Sequence, residues 1–305
     1  MRIVSLLPAA TEICFAMGLG DDVVGVSPEC DYPRAARGKR IVSRGLVPYE
    51  NTSSGETSRL VGERLASGDA LYQVDEDALR ESEPDLILTQ GLCDVCAPTL
   101  GDVEAIASRL PRSPSILSLD PHCLEDVFAD MERVGRICGA TEAARATAVS
   151  LRGRIDQVAA RAAMVDFRPS TLCLEWLDPL FLAGHWVPEM VGLAGGYDDL
   201  TSPGTPSRRV EGRDIVLAAP EVAVLMPCGF DLGRTRREAH RVTTAPWWTE
   251  LPAARTNRVW TVDGSAYFNR PGPRLVDGLE ILAHILHPEL FPTPPSAEAA
   301  RPWVA

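Results

Sequence analysis

The 305-residue sequence is almost devoid of lysine: Lys39 is the only one, and every other basic side chain is arginine. No Lys-rich tail is available as an electrostatic tether, and 30 basic against 42 acidic residues give a net charge of −12. Nucleic acid and anionic membrane surfaces are therefore poor partners. No stretch approaches the roughly 20 apolar residues of a membrane span. The opening Met1-Arg2-Ile3-Val4-Ser5-Leu6-Leu7-Pro8 stops at a proline with Glu12 close behind. That is short of the roughly 7–15 apolar residues and the small-residue cleavage site of a secretory leader. The expectation is a cytoplasmic chain with reduced thiols. A Gly-x-x-x-x-Gly-Lys loop, a Gly-x-Ser-x-Gly elbow and a Ser-His-Asp arrangement are all missing, so a binding protein is expected rather than an enzyme.

What the sequence does contain is a repeated β-α pattern. Its length favours two lobes of about 150 residues each. Strands are expected at 3–6, 23–26, 86–89, 116–119, 171–176, 222–226 and 259–262, and helices at 11–17, 56–66, 76–83, 102–110 and 275–286. A longer helical stretch covers 124–163, apart from interruptions at Gly135 and Gly139. The resulting domains are an N-terminal lobe at 1–122, a linking helix at 123–164, a C-terminal lobe at 165–288 and a frayed Pro-rich tail at 289–305. The fold class is α/β, with a central parallel sheet in each lobe. A Pro-acid dipeptide followed by an apolar run occurs twice, at Pro84-Asp85 before Cys93 and at Pro220-Glu221 before Cys228. In open parallel sheets, ligands bind outside the carboxyl ends of the strands. That rule selects loops 27–33, 90–98, 177–188, 227–232 and 263–273, and with them Gln90, Trp176 and Trp186.

The order Ser5-Leu6-Leu7-Pro8-Ala9-Ala10-Thr11-Glu12, Gly25-Val26-Ser27, Asp31-Tyr32-Pro33 and Pro84-Asp85-Leu86-Ile87 resembles the class III substrate-binding proteins of ABC importers, in their cobalamin-binding branch. The second half continues the match with Phe181 through Gly184, Gly195-Gly196, Tyr267-Phe268-Asn269-Arg270 and Pro273-Arg274. The resemblance implies two Rossmann-like lobes joined by one long α-helix, with a corrinoid or other tetrapyrrole held in a cleft between them. By the same resemblance the family's corrinoid-contacting tyrosine falls on Glu29, near Tyr32. The covering aromatic segment falls on Ala266, Tyr267, Phe268, Asn269 and Arg270. Of the two acids that dock such proteins on a permease, the first falls on Asp77. The second falls near Arg213, where the sign is reversed although Glu211 is close, and this argues against an importer partner.

Eight cysteines set the chain apart from those importers. Cys93-Asp94-Val95-Cys96 is a C-x-x-C that can bite one tetrahedral metal, with Cys30, Cys228 or His185 completing a zinc site or holding an iron-sulfur cluster. This is the alternative reading, a cytoplasmic metalloprotein or enzyme; a dithiol redox switch is a third. Cys14, Cys123, Cys138 and Cys173 read as core residues, and His122, His240, His284 and His287 as structural or solvated ones. Glu175, Trp176 and Asp178 stand at a strand end, and Arg234, Arg236, Arg237 and Arg241 form either an anion site or a solvated helix face.

Overall fold

The structure is a computed structural model that describes residues 1–49, 52–91 and 97–304. Its contacts divide the chain into two compact units. One comprises Met1–Thr52, Glu56–Pro121 and Glu125–Val149, the other Ser53–Gly55, His122–Leu124 and Ser150–Ala305. The first half of the chain runs β1 (Ile3–Ser5), α1 (Pro8–Ala16), β2 (Val23–Val26), β3 (Arg40–Ile41), β4 (Ser43–Gly45), α2 (Ser54–Ala66), β5 (Tyr72–Val74), α3 (Glu76–Ser82), β6 (Leu86–Thr89), α4 (Leu100–Ala107), β7 (Ser115–Ser118), α5 (Leu124–Ile137) and α6 (Thr141–Ala162). Five of these strands form a parallel sheet in the order β3-β2-β1-β6-β7, and β4 pairs with β5. Every residue of β1 and β6 is buried, as a parallel strand covered on both faces requires. Val4, Leu6, Ile87, Leu79 and Val103 make up much of this core.

The second half runs β8 (Thr171–Leu177), β9 (Leu180–Leu182), α7 (Val187–Leu193), β10 (Arg208–Arg209), α8 (Gly212–Ala218), β11 (Val222–Leu225), α9 (Leu232–Glu238), α10 (His240–Thr243), α11 (Pro252–Arg255), β12 (Val259–Val262), α12 (Gly264–Tyr267), α13 (Leu275–Leu286) and β13 (Ala300–Pro302). Its sheet has the order β10-β9-β8-β11-β12-β13, with β8, β11 and β12 parallel and the other three strands antiparallel to their neighbours.

The two Pro-acid dipeptides do the same work in both units. α3 ends at Glu83 with φ 43°, and α8 ends at Ala219 with φ 47°. Each left-handed residue is followed by proline, which cannot continue a helix, and then by the acid. Asp85 accepts the amide of Arg2 at 2.8 Å, and Glu221 accepts the amide of Ser170 at 3.0 Å. Each acid thus fixes the chain just ahead of the central strand beside it, β1 in one unit and β8 in the other.

Two expectations change. The stretch 124–163 is two helices, because Gly139 at φ 70° breaks it between α5 and α6; the division between the units falls inside α6, after Val149. The tail is not frayed: β13 pairs with β12, the Trp303 amide donates to the Val259 carbonyl at 2.8 Å, and Ala299 and Ala300 are buried. Trp303 packs on the apolar core and lies under the Arg236 guanidinium, which is why a Pro-rich segment holds its place.

Candidate functional site

In the first unit, successive crossovers leave β1 toward β2 on one side, while β6 leads to β7 on the other, so the sheet reverses between β1 and β6. Ligands bind at such a reversal, beyond the carboxyl ends of the strands. The groups there are fixed by a buried network of small hydroxyls. Ser5 Oγ donates to the Leu7 carbonyl at 3.0 Å, and Thr11 Oγ1 lies 2.8 Å from Ser5 Oγ and 3.0 Å from Cys30 Sγ. Ser27 Oγ approaches the same thiol at 3.3 Å, and the Cys30 amide donates to the Ser27 carbonyl. The network ties the β1–α1 turn to the loop after β2. It carries Glu29, half-buried, and Tyr32, 48% exposed, to the edge of the unit, while Gln90 at the end of β6 is buried.

Cys30, expected as a metal ligand, is 3% exposed, and burial pushes the thiol's pKa up. Among the described residues its Sγ is in contact with the Thr11 and Ser27 hydroxyls, which makes it a packing and hydrogen-bonding residue there. Cys93 and Cys96 lie outside the described residues. Cys228 is half-buried in the loop after β11, its amide donating to the Glu175 carbonyl at 2.9 Å. Among the described residues no group of three or more His, Cys, Asp and Glu is arranged to hold a metal. Cys14 and Cys173 are buried core thiols as expected, whereas Cys123 and Cys138 are only half-buried.

In the second unit the reversal falls between β8 and β11. Three loops are stitched together around it. Gly264, at the start of α12, lies so close to the 226–227 backbone that a Cβ there would stand 2.4 Å from the Pro227 carbonyl oxygen. The Ser265 amide donates to the Phe230 carbonyl at 3.0 Å, and Asn269 Nδ2 donates to the Met226 and Gly264 carbonyls, both at 2.9 Å. Asp263 caps α12 through the Ala266 amide at 2.7 Å, and burial pushes its carboxyl up in spite of that bond. Asp231 caps α9 in the same way through the Arg234 amide.

On this frame sit the aromatic and cationic groups. The Arg234 guanidinium lies 3.8 Å above the Phe230 ring, and Trp176 leans on the same ring at 5.2 Å. Arg274 stands 5.6 Å from the Tyr267 ring, and Arg270 donates to Ser265 Oγ at 3.1 Å. Burial raises the Tyr267 phenol's pKa. Two expected ligand contacts are corrected: Phe268 is 0% exposed, and Trp186, also buried, donates its indole N–H to the Phe268 carbonyl at 2.8 Å. Both side chains hold α12 in place as part of the core. Asn269 likewise works as a loop clamp. The four arginines expected as one group are dispersed: Arg234 stacks on Phe230, Arg236 reaches the Pro302 carbonyl, Arg237 is exposed, and Arg241 pairs with Glu238 and Asp178.

Sequence reasoning took His122 for a structural or solvated residue and did not place it at a site. It stands next to Asp120-Pro121 just beyond the carboxyl end of β7, and its ring comes within 5.7 Å of the His185 ring, centroid to centroid. The rule that selects loops after parallel strands would have found it had loop 119–123 been included. His185 itself has φ 53°, its amide donating to Thr205 and its carbonyl accepting from Gly204. Burial, and then the neighbouring His122, lower its pKa.

Two α/β units, one with a parallel sheet and the other with a sheet parallel at its centre, each with hydrogen-bonded loops at its carboxyl edge, have the architecture of a substrate-binding protein. The chain belongs to the periplasmic binding protein family, whose model matches residues 3–266. A vitamin B12-binding protein of Vibrio cholerae is 24% identical over 282 residues, 92% of this chain and 86% of the relative. The uncharacterized ABC transporter substrate-binding lipoprotein YvrC of Bacillus subtilis is 24% identical over 296 residues, 95% of this chain and 81% of the relative. Solved structures share the fold. A periplasmic vitamin B12-binding protein of Vibrio cholerae has a TM-score of 0.66 at 21% identity, covering 93% of this chain and 96% of its own. A periplasmic heme-binding protein of Pseudomonas aeruginosa has a TM-score of 0.73 at 18% identity, covering 98% and 96%.

Proposed function

We propose that the protein binds a cobalamin-type corrinoid as the substrate-binding component of an ABC importer. The observation that carries this reading is the carboxyl edge of the second unit, where the half-buried Trp176 and Tyr267 supply aromatic faces and Arg270 and Arg274 supply guanidinium groups, on a frame that buried Phe230 and Arg234 hold from within. A tetrapyrrole presents a broad apolar ring system fringed by carboxylates or amides, and that combination of stacking surface and planar donors suits it. Curated relatives named as vitamin B12-binding support the corrinoid over other tetrapyrroles. Heme is the second reading, favoured by structural neighbours described as heme-binding.

At the two docking positions Asp77 is exposed and paired with Arg80 at 2.6 Å, while Glu211, also exposed, precedes α8 beside Arg213. Glu211 can serve as the second docking acid. Cytoplasmic residence belongs to the alternative in which the protein handles the corrinoid inside the cell instead of serving an importer; recovery of the protein outside the cytoplasm on cell fractionation would overturn that alternative and leave the importer reading standing.

The test is titration of the purified chain with cyanocobalamin and, separately, with hemin, followed by calorimetry and tryptophan fluorescence. Saturable binding of one corrinoid per chain, weakened by Tyr267→Ala and Arg270→Ala, is expected. Saturable binding of hemin alone moves the assignment to heme, and binding of neither removes it.

A further inference from the structure

Five histidines occur in the chain, and three of them have a ring nitrogen against a backbone carbonyl: His240 on Arg237, His284 on Phe291 and His287 on Gly195. The other two meet one another. His122 and His185 belong to the same unit, their ring centroids 5.7 Å apart and their planes inclined at 36°. We propose that His122 and His185 form a two-imidazole site for a divalent transition metal ion.

The distance suits a shared ion. A metal about 2.1 Å from a ring nitrogen lies roughly 3.2 Å from the ring centre, so centres 5.7 Å apart subtend about 125° at the ion, a widened tetrahedral angle. Shared ligation by this geometry fails once the centres part by more than about 6.4 Å. The backbone supports the assignment. A left-handed φ of 53° is uncommon outside glycine and asparagine, and it persists here because Thr205 and Gly204 hold both sides of the His185 peptide. The Trp186 ring also packs against the His185 ring, centroids 5.5 Å apart.

The chemistry selects the ion. Two imidazoles suit zinc, copper, nickel or cobalt and give magnesium or calcium no oxygen cage. Among the described residues no third His, Cys, Asp or Glu completes a cluster around the pair. Within the described residues the remaining coordination positions are left to water or to a bound molecule.

The experiment uses the full chain, stripped with chelator and free of tetrapyrrole, titrated with zinc chloride by calorimetry and with cobalt chloride by visible absorption. One ion per chain is expected. His122→Gln and His185→Asn should each weaken binding by about tenfold or more, a scale seen even when an outer-sphere partner is lost. Asparagine tolerates the left-handed backbone at 185, and His240→Gln serves as a control that keeps parental affinity. On the unaltered protein, zinc should move the ring resonances of His122 and His185 and leave those of His240 in place. Parental affinity in both histidine variants, unmoved resonances, or binding lost in Cys93→Ser/Cys96→Ser yet unchanged in the histidine variants would each overturn the assignment.

Discussion

Replacing Gly264 with alanine asks whether the carboxyl-edge frame of the second unit is as tight as its geometry says. The new methyl carbon would stand 2.4 Å from the Pro227 carbonyl oxygen and 2.6 Å from the carbonyl carbon and oxygen of Met226. Carbon-to-oxygen contact needs about 3.3 Å, so one backbone segment has to move by roughly 1 Å, and backbone cannot rotate aside as a side chain can. The same peptide anchors Ser265 on Phe230 and receives Asn269 Nδ2, so the shift strains several hydrogen bonds together. Overpacking of this kind costs about 1–3 kcal/mol, and the rigid neighbours put Gly264→Ala near 3. With a urea slope of about 2 kcal/mol/M for a unit of this size, the second unit's midpoint should fall by about 1.5 M. Cobalamin affinity should fall with it, because Ala266 to Arg270 follow directly. Gly153 in α6 is the matched control: a Cβ there meets nothing within 4 Å, so Gly153→Ala should raise stability by about 0.5–1 kcal/mol. A midpoint for Gly264→Ala within 0.3 M of the parent, the rough error of extrapolated urea data, would refute the reasoning.

Other expectations follow from named contacts. Asp130 on α5 bonds Arg133 through Oδ1 at 2.7 Å while Oδ2 is buried with no hydrogen-bond partner among the described residues, and burial raises its pKa. A carboxyl raised above its unfolded value stabilises the fold fully below about pH 3.9 and loses that contribution as pH rises through the folded value. Asp130→Asn should therefore gain about 1 kcal/mol at pH 7 and nothing at pH 3, read by urea midpoints at both pH values. Arg154 bonds Glu280 at 2.8 and 2.7 Å and Asp277 at 2.6 Å, and Glu280 above all holds its guanidinium charge more firmly than usual. Arg154→Ala should cost about 1–2 kcal/mol after discounting for partial exposure, with less lost in 1 M salt. Trp303→Ala should destabilise the second unit by about 2 kcal/mol and open the tail to protease, whereas a frayed tail would be cut in the parent too.

Much of this fold can be read from the chain, for a physical reason. Strands 23–26, 86–89 and 259–262 stand where their apolar runs put them, because a parallel strand buried on both faces must be apolar throughout. β3 and β10 escape the same reading: Arg40-Ile41 and Arg208-Arg209 are exposed two-residue edge strands with no periodicity to detect. The tail hides β13 behind a Pro-rich composition, since its pairing depends on Trp303 reaching a core that lies far away in sequence. At the site, residue type was legible and burial was not. Phe268, Trp186 and Cys30 have the chemistry of ligand contacts, yet all three face inward, and nothing local to those residues says so. His122 and His185 become neighbours only through the tertiary fold, so neither residue carries a spacing motif.

The duplicated device of left-handed residue, proline, acid and strand sets two equivalent loops at two carboxyl edges, but the edges themselves have diverged. In the first unit the network is neutral and buried: Ser5, Thr11, Ser27 and a thiol kept protonated. Such a network fixes backbone and offers a ligand little charge. In the second unit the corresponding frame carries Arg234, Arg270 and Arg274 among Trp176, Phe230 and Tyr267. On the proposed corrinoid reading, recognition of carboxylates or amides around the ring draws mainly on Arg270 and Arg274 of the second unit. Arg270→Ala should weaken corrinoid binding by about tenfold or more, on the scale of one charge-assisted hydrogen bond, while Tyr32→Ala should cost less. Calorimetry of both variants decides the point. A larger loss at Tyr32 than at Arg270 would place the discriminating contacts on the neutral edge, and the divergence between the two edges would need a cause other than ligand charge.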